Sequence, residues 1–358
     1  MPIIKGRRMS LPVIQGGMGI CVSLGGLAGS VAACGGMGVI SSANTGFREK
    51  DFWQNPLRAN LQCLRDEIKK ALRLAAGRGL VGVNIMVATT QYPQAVQTAA
   101  EAGADAIICG AGLPLDLPGL VANVQNQDVL LAPIVSSGKA VRTICRRWDR
   151  SFGRVPDFVV IEGSEAGGHL GFKREELLNG EAKPLRQLMQ DVLTELQPFE
   201  AKYNCRIPIY VAGGVFSGQD VADYIQAGAD GVQIATRFIA THECDASPEY
   251  KRIMLEAKPE DVQIVQSPVG MPGRALKSPL LERLAALGRI APERCSRCIS
   301  SCQPASTPYC ITQALIEAVQ GNWEKGLFFC GSNVGRVRKM LHVDELLDEL
   351  CREWRLIL

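Results

Sequence analysis

Residues 207–236 read IPIYVAGGVFSGQDVADYIQAGADGVQIAT, and the fold turns on how this stretch is parsed. A short apolar run, Ile207–Gly213, ends in paired glycines, and a helical pattern, Gln219–Ala227, follows it. Gly228 stops that helix, and a second apolar run, Gly231–Thr236, begins three residues later. Both runs are short and mostly apolar with β-branched residues, which suits strands buried on both faces. Strand, helix, strand in this order is a βαβ unit with parallel strands. The same turn occurs upstream: Glu101-Ala-Gly-Ala-Asp-Ala-Ile-Ile parallels Gln226-Ala-Gly-Ala-Asp-Gly-Val-Gln. Each pairs a helix-ending glycine with a tight turn into a strand.

Outward from this unit the rhythm continues. Strand-like runs fall at Pro12–Gly16, Gly38–Ser42, Val81–Met86, Ala104–Gly110, Leu130–Ser136 and Phe158–Gly163, besides the two above. Helical patterns lie between them, among them Leu57–Ala76, Tyr92–Ala102 and Leu185–Tyr203. Eight strands alternating with helices predict an α/β fold, a closed (β/α)₈ TIM barrel over residues 1–280, with a doubly wound open sheet as the competing architecture. Beyond residue 280 the rhythm stops. Leu280–Leu287, Thr312–Val319 and Val343–Trp354 read as helices around an irregular, cysteine-containing stretch, so residues 281–358 form a helical C-terminal extension expected to pack on the barrel.

Composition removes several functional classes. A net charge of +3 on 358 residues leaves no basic excess for a nucleic-acid or membrane surface. No charged residue lies between Arg8 and Arg48, yet Gly16-Gly17, Gly25-Gly26 and Gly35-Gly36 interrupt the stretch, so it predicts buried strands and turns rather than a membrane helix or a secretory signal. The expectation is a soluble cytoplasmic protein. The 13 cysteines are an odd number, which speaks against a disulfide framework.

Barrel enzymes place their chemistry at the C-terminal ends of the strands. Those positions hold Gln15-Gly16-Gly17-Met18-Gly19, Asn84, Lys139, Glu162 through His169, Gly213-Gly214 and Gln233 through Thr236. Gly213 and Gly214 bare backbone N–H groups where strand seven ends, and Thr236 adds a hydroxyl after strand eight, a pairing suited to phosphate. Glycines 16 and 17 with Met18 let the chain approach a flat ligand. Asn84 offers a donor and an acceptor, and Lys139 a cation, the mixture an isoalloxazine ring requires. The sharpest segment is Glu165-Ala-Gly167-Gly168-His169-Leu-Gly171. Of the chain's 3 histidines, only this one follows a buried strand inside a glycine-rich loop, so His169 is the candidate catalytic group and His242 and His342 are read as structural.

Taken together, Ile14-Gln-Gly-Gly-Met-Gly19, Gly82-Val-Asn84, the Glu165–Gly171 loop, Ala212-Gly-Gly214 and Gly228-Ala-Asp-Gly-Val-Gln233 resemble the nitronate monooxygenase (2-nitropropane dioxygenase) family. That family includes the FMN-dependent enoyl-acyl-carrier-protein reductase of type II. The resemblance runs from about Leu11 to Arg274. It implies one non-covalent FMN, with His169 beside the flavin as base or substrate-orienting donor. Gly16, Gly17, Met18, Asn84, Lys139, Gly167, Gly168, Gly213, Gly214, Gln233 and Thr236 would contact the flavin or its phosphate. Relatives usually carry glycine where this chain has Ala235, and the added methyl would shift the phosphate slightly. Two chemistries are implied: oxidation of alkyl nitronates with O₂, and NAD(P)H-dependent reduction of an enoyl thioester, whose members share a stretch similar to Ser267-Pro-Val-Gly-Met-Pro-Gly-Arg274. A catalytically idle flavin- or phosphate-binding protein is the third alternative. The expected partner is a small molecule, with NAD(P)H for the reductase and a homodimer as one option for assembly.

Cys295-x₂-Cys298-x₃-Cys302-x₇-Cys310 stands apart from the scattered cysteines. Four thiols this close can enclose one zinc ion or a 4Fe–4S cluster. The spacing resembles the segment after the barrel in iron–sulfur members of the old yellow enzyme family. Four reduced thiols in a loop is the alternative.

Overall fold

The computed structural model describes residues 3–126 and 128–357. Eight parallel strands close into a barrel: Val13–Gln15, Met37–Ser41, Leu80–Met86, Ala106–Gly110, Leu130–Val135, Val159–Glu162, Ile209–Ala212 and Gly231–Ile234, the last pairing back onto the first through Val232 and Val13. All eight predicted strands are present, most of them trimmed by a residue or two at their ends. The open-sheet alternative is excluded by this closure.

Alternate side chains divide each strand between two cores. Ile14, Met37, Val39, Ile108, Leu130, Val160 and Tyr210 fill the barrel interior, where Phe158 meets Tyr210 edge to face at 5.7 Å. Their neighbours Val13, Ile40, Val81, Ile107, Leu131 and Ile161 face outward onto the helices. The bottom of the barrel is plugged by Ile4 and Met9, from an N-terminal hairpin (Ile3–Ile4 with Arg7–Arg8) that the sequence pattern did not suggest. Close helix packing explains several glycines: a Cβ on Gly38 would lie 1.8 Å from the Ala28 carbonyl oxygen.

Helices form where expected and end for local reasons. Pro56–Ala75 begins with Asn55 accepting the Arg58 N–H and ends on left-handed Ala76. Gly138–Phe152 is capped by Ser137, and Gly153 closes it at φ +61°. Among the described residues no helix is long and apolar enough to cross a membrane.

Two features of the cover over the barrel mouth were not anticipated. Val262–Gln266 and Pro272–Leu276 form an antiparallel hairpin, and the two-residue strand Gly168–His169 pairs onto its edge, Gly273 opposite His169. The extension then lays a satellite core across the hairpin, in which Val265, Ala275, Ile299, Tyr309, Ile311 and Leu327 are buried together. The last helix, Val343–Ile357, packs beside Gly218–Gln226, where the Gly218 N–H donates to Glu353 at 2.6 Å.

Candidate functional site

The strand tips enclose a cavity of about 230 Å³. Of the residues expected to bind flavin, Gly16, Gly17, Met18, Asn84, Gly167, Gly168, Gly213, Gly214, Gln233 and Thr236 line it, together with His169. Lys139 does not. It sits exposed at the start of the helix Gly138–Phe152, because the Ser137 cap turns the chain away from the mouth two residues earlier.

Backbone geometry explains the glycines that matter most. Gly213 and Gly214 have φ of +93° and +85°, the left-handed region that side chains disfavour. A Cβ on Gly17 would lie 2.5 Å from the Asn84 Cβ. Gly167 is bare for another reason: a Cβ there would sit 2.4 Å from the Cys330 carbonyl carbon, so its missing side chain admits the C-terminal extension. That extension supplies Phe329, Cys330, Gly331 and Asn333 to the cavity wall. The Gly331 N–H donates to Thr236 Oγ1 at 2.9 Å and Asn333 Nδ2 donates to the Gly214 carbonyl at 3.2 Å. With one lone pair taken, the Thr236 hydroxyl keeps its proton free to donate into the cavity.

Asn84 and Gln233 are half-buried, line the cavity and have no side-chain hydrogen-bond partner among the described residues, so their amides are open to a ligand. Glu162, at the tip of strand six, is likewise without a partner and burial raises its pKa to about 8, so it stays protonated near neutral pH and offers an O–H. Amides, a neutral carboxyl, a hydroxyl and bare glycine N–H groups fit the polar edge and the phosphate of FMN.

His169 is held rather than mobile. Its Nε2 is 2.8 Å from Ser267 Oγ, and its ring meets Phe329 edge to face at 5.2 Å. Ser267 Oγ also accepts the Val269 N–H at 3.3 Å, which leaves its own proton to donate to Nε2. Arg274 donates to the carbonyls of Ser164 and Ala166 and so ties the histidine loop to the hairpin. Burial lowers the His169 pKa to about 4, which makes the imidazole neutral at physiological pH.

The four-cysteine expectation gains no support from the structure. Among the described residues no three His, Cys, Asp or Glu side chains gather as a metal requires. Cys295 is exposed and accepts the Arg297 N–H at 3.4 Å, Cys298 accepts the Thr312 hydroxyl at 2.9 Å, and both lie near enough to Cys310 to add to the upward push that burial gives its thiol.

A profile of the nitronate monooxygenase family matches residues 2–353. The chain belongs to that family. A probable nitronate monooxygenase of Bacillus subtilis (strain 168) is 27% identical over 201 residues, 55% of this chain and 51% of the relative. A (3aS,4S,5R,7aS)-5-hydroxy-7a-methyl-1-oxo-octahydro-1H-indene-4-carboxyl-CoA dehydrogenase of Mycobacterium tuberculosis (strain ATCC 25618 / H37Rv) is 26% identical over 286 residues, 78% of this chain and 66% of the relative. The matches thus span between half and two thirds of these curated relatives. Among solved structures, FabK from Thermotoga maritima superposes with a TM-score of 0.70 at 23% identity, covering 97% of this chain and 93% of that one. A nitroalkane oxidase from Streptomyces ansochromogenes gives 0.74 at 20% identity, covering 98% and 97%. These two neighbours thus share the barrel described above.

Proposed function

We propose that this chain is an FMN-dependent oxidoreductase that oxidises alkyl nitronates with O₂. FMN, held by the strand-tip residues, supplies the two-electron acceptor. The observation that carries the nitronate reading is the neutral, buried imidazole of His169 facing the cavity. A nitronate arrives already deprotonated, so its oxidation needs no strong base; it needs a fixed hydrogen-bonding group beside the anion. With Nε2 bonded to Ser267, Nδ1 is the nitrogen left to face substrate. An anion bound there raises the imidazole pKa, so a proton taken up on binding would sit where it offsets the charge. Enoyl reduction asks for the opposite, a group that gives a proton to carbon, and a neutral imidazole with so low a pKa is a poor acid.

Acyl-thioester chemistry is the second reading, favoured by the relative named as a carboxyl-CoA dehydrogenase, which aligns with 78% of the chain. Anaerobic mixing of the holoenzyme separates the two. Bleaching of the flavin absorbance by propyl-1-nitronate, with none by NADPH or NADH, is expected. Bleaching by a nicotinamide alone, with reoxidation by an enoyl thioester, would replace the nitronate reading by the reductase.

A further inference from the structure

A second, smaller cavity opens from the first. The two share Ala43, Met86, His169 and Leu315, so the small chamber lies directly beyond the histidine. Its volume of about 50 Å³ is room for roughly four heavy atoms, counted as about one per water-sized space. The post-barrel cover closes it with Cys298, Ile299 and Ile311.

One wall is a chain of amides whose donors and acceptors can be followed. Thr312 donates to Cys298 Sγ, and Asn44 Nδ2 donates to Thr312 Oγ1 at 3.2 Å. Asn60 Nδ2 donates to Asn44 Oδ1 at 3.3 Å and to Gln91 Oε1 at 3.0 Å, while Asn60 Oδ1 accepts the Gly46 N–H. Asn44 takes left-handed backbone, φ +46°, which asparagine tolerates better than most residues. Every side-chain amide oxygen in the chain is therefore occupied. What remains is one N–H of Asn44, the Gln91 Nε2 with its two N–H groups, and the Ser42 hydroxyl; of these, Gln91 Nε2 and Ser42 Oγ have no partner at all among the described residues, and all three residues line the chamber. No Lys, Arg, Asp or Glu lines it.

Free donors without a permanent cation favour a neutral hydrogen-bond acceptor, because the one ionisable nitrogen at the wall, the His169 imidazole, already serves the nitronate and a carboxylate buried there would lack a second counter-charge. We propose that this chamber takes a short uncharged arm of the substrate that ends in a carbonyl (ketone, ester, thioester or amide) bonded by Gln91 and Ser42. The substrates of choice are then carbonyl-bearing nitronates rather than simple alkyl nitronates. This rests on the strand-tip cavity being the flavin site.

The test uses the FMN-loaded enzyme and two readouts. In turnover, the nitronate of 5-nitropentan-2-one should show about a tenfold higher kcat/KM than that of 1-nitropentane, the factor equivalent to about 1.4 kcal/mol. Gln91→Glu keeps an oxygen for Asn60 and removes the free donors, and it should bring this ratio to about one. In binding, 2-pentanone should perturb the flavin absorbance of the resting enzyme, with butyrate weaker, and the 2-pentanone signal should be lost in Gln91→Glu. Ser42→Ala, which leaves the amide chain alone, gives the same reading at smaller size if Gln91→Glu does not fold. A wild-type ratio near one, a ratio unchanged by Gln91→Glu, or tighter binding of butyrate than of 2-pentanone overturns the chamber assignment. If no nitronate turns over while 2-pentanone still binds in a Gln91-dependent way, the activity reading fails and the chamber stands.

Discussion

The floor and the roof of the cavity are built on different principles. The floor consists of strand tips, where glycines, two open amides and Glu162 hang from a barrel whose closure sets their spacing. The roof consists of the hairpin 262–276 and the segment 295–333, held by a satellite core of its own. A floor residue owes its position to a strand whose pairing would survive its replacement. A roof residue is placed by side-chain packing and a few hydrogen bonds, such as Arg274 to the Ser164 and Ala166 carbonyls. His169 belongs to both, since it follows a barrel strand and pairs with the hairpin. The floor thus suits a constant cofactor, and the roof a variable substrate.

The sharpest way to break this division is at the shared residue. His169→Ala should lower turnover by about 10²–10⁴-fold while FMN stays bound, measured by stopped-flow reduction alongside the flavin-to-protein absorbance ratio. Loss of flavin together with activity would make the histidine part of the floor alone. Next in size is a floor substitution. Gly213→Ala forces a side chain into φ +93° with its Cβ 2.9 Å from the Ala166 nitrogen. Strain of about 1–3 kcal/mol should weaken FMN binding roughly ten- to hundredfold by fluorescence titration. Gly153→Ala is the control: φ is +61° there too, but nothing lies within 4 Å of the new Cβ and the cavity is remote, so stability falls while FMN affinity holds.

Floor and roof also differ in how much of them could be read from the sequence. Strand runs such as Ile207–Gly213 are local, so periodicity and the glycines that follow them locate the tips and most of the candidate contacts. Lys139 lies off the cavity wall because the helix capped by Ser137 begins just before it, a local turn below the resolution of a pattern. The roof was missed because its pairing is long-range. Gly168–His169 is a strand only because Gly273 and Arg274 lie opposite, and nothing within the loop announces that. Phe329, Gly331 and Asn333 reach the cavity from a region that reads as an appendage; the one available signal was Gly167, whose bareness admits the Cys330 backbone. Cysteine spacing has the same limit: it measures distance along the chain and does not fix whether four thiols converge, and no such gathering is present among the described residues.

A roof substitution should act through the histidine without touching the cofactor. Arg274→Met keeps much of the apolar stem and removes the donors to Ser164 and Ala166. Turnover should fall about tenfold, the effect of a loosened catalytic side chain, with FMN affinity within twofold of the parent. Comparable losses in both would mean that roof and floor form one cooperative unit.

The smallest expected effect sharpens the electrostatic side of the comparison, because the floor and the shared residue should give pH dependences of opposite sign. Glu162 is pushed up to about 8 in the folded protein from an ordinary 4.5. Between those values the folded state holds a proton the unfolded chain has released, so this contribution to stability is complete at low pH and is lost as pH rises toward 8. His169 is pushed down from 6.5 to about 4, so over that interval the unfolded chain holds the extra proton and stability is lost as pH falls. The two oppose each other between pH 4.5 and 6.5, and above 6.5 only Glu162 of the two acts. Because His342, held up by Glu243, also loses its contribution as pH rises above 6.5, Glu162 is isolated by the difference between the flavin-free parent and Glu162→Gln melted from pH 6.5 to 8. The parent should lose stability relative to Glu162→Gln, by at most about 1.4 kcal/mol per pH unit, because glutamine cannot ionise. Parallel melting curves would mean that Glu162 is ionised in the cavity, and the neutral carboxyl would have to be withdrawn from the set of groups facing the flavin.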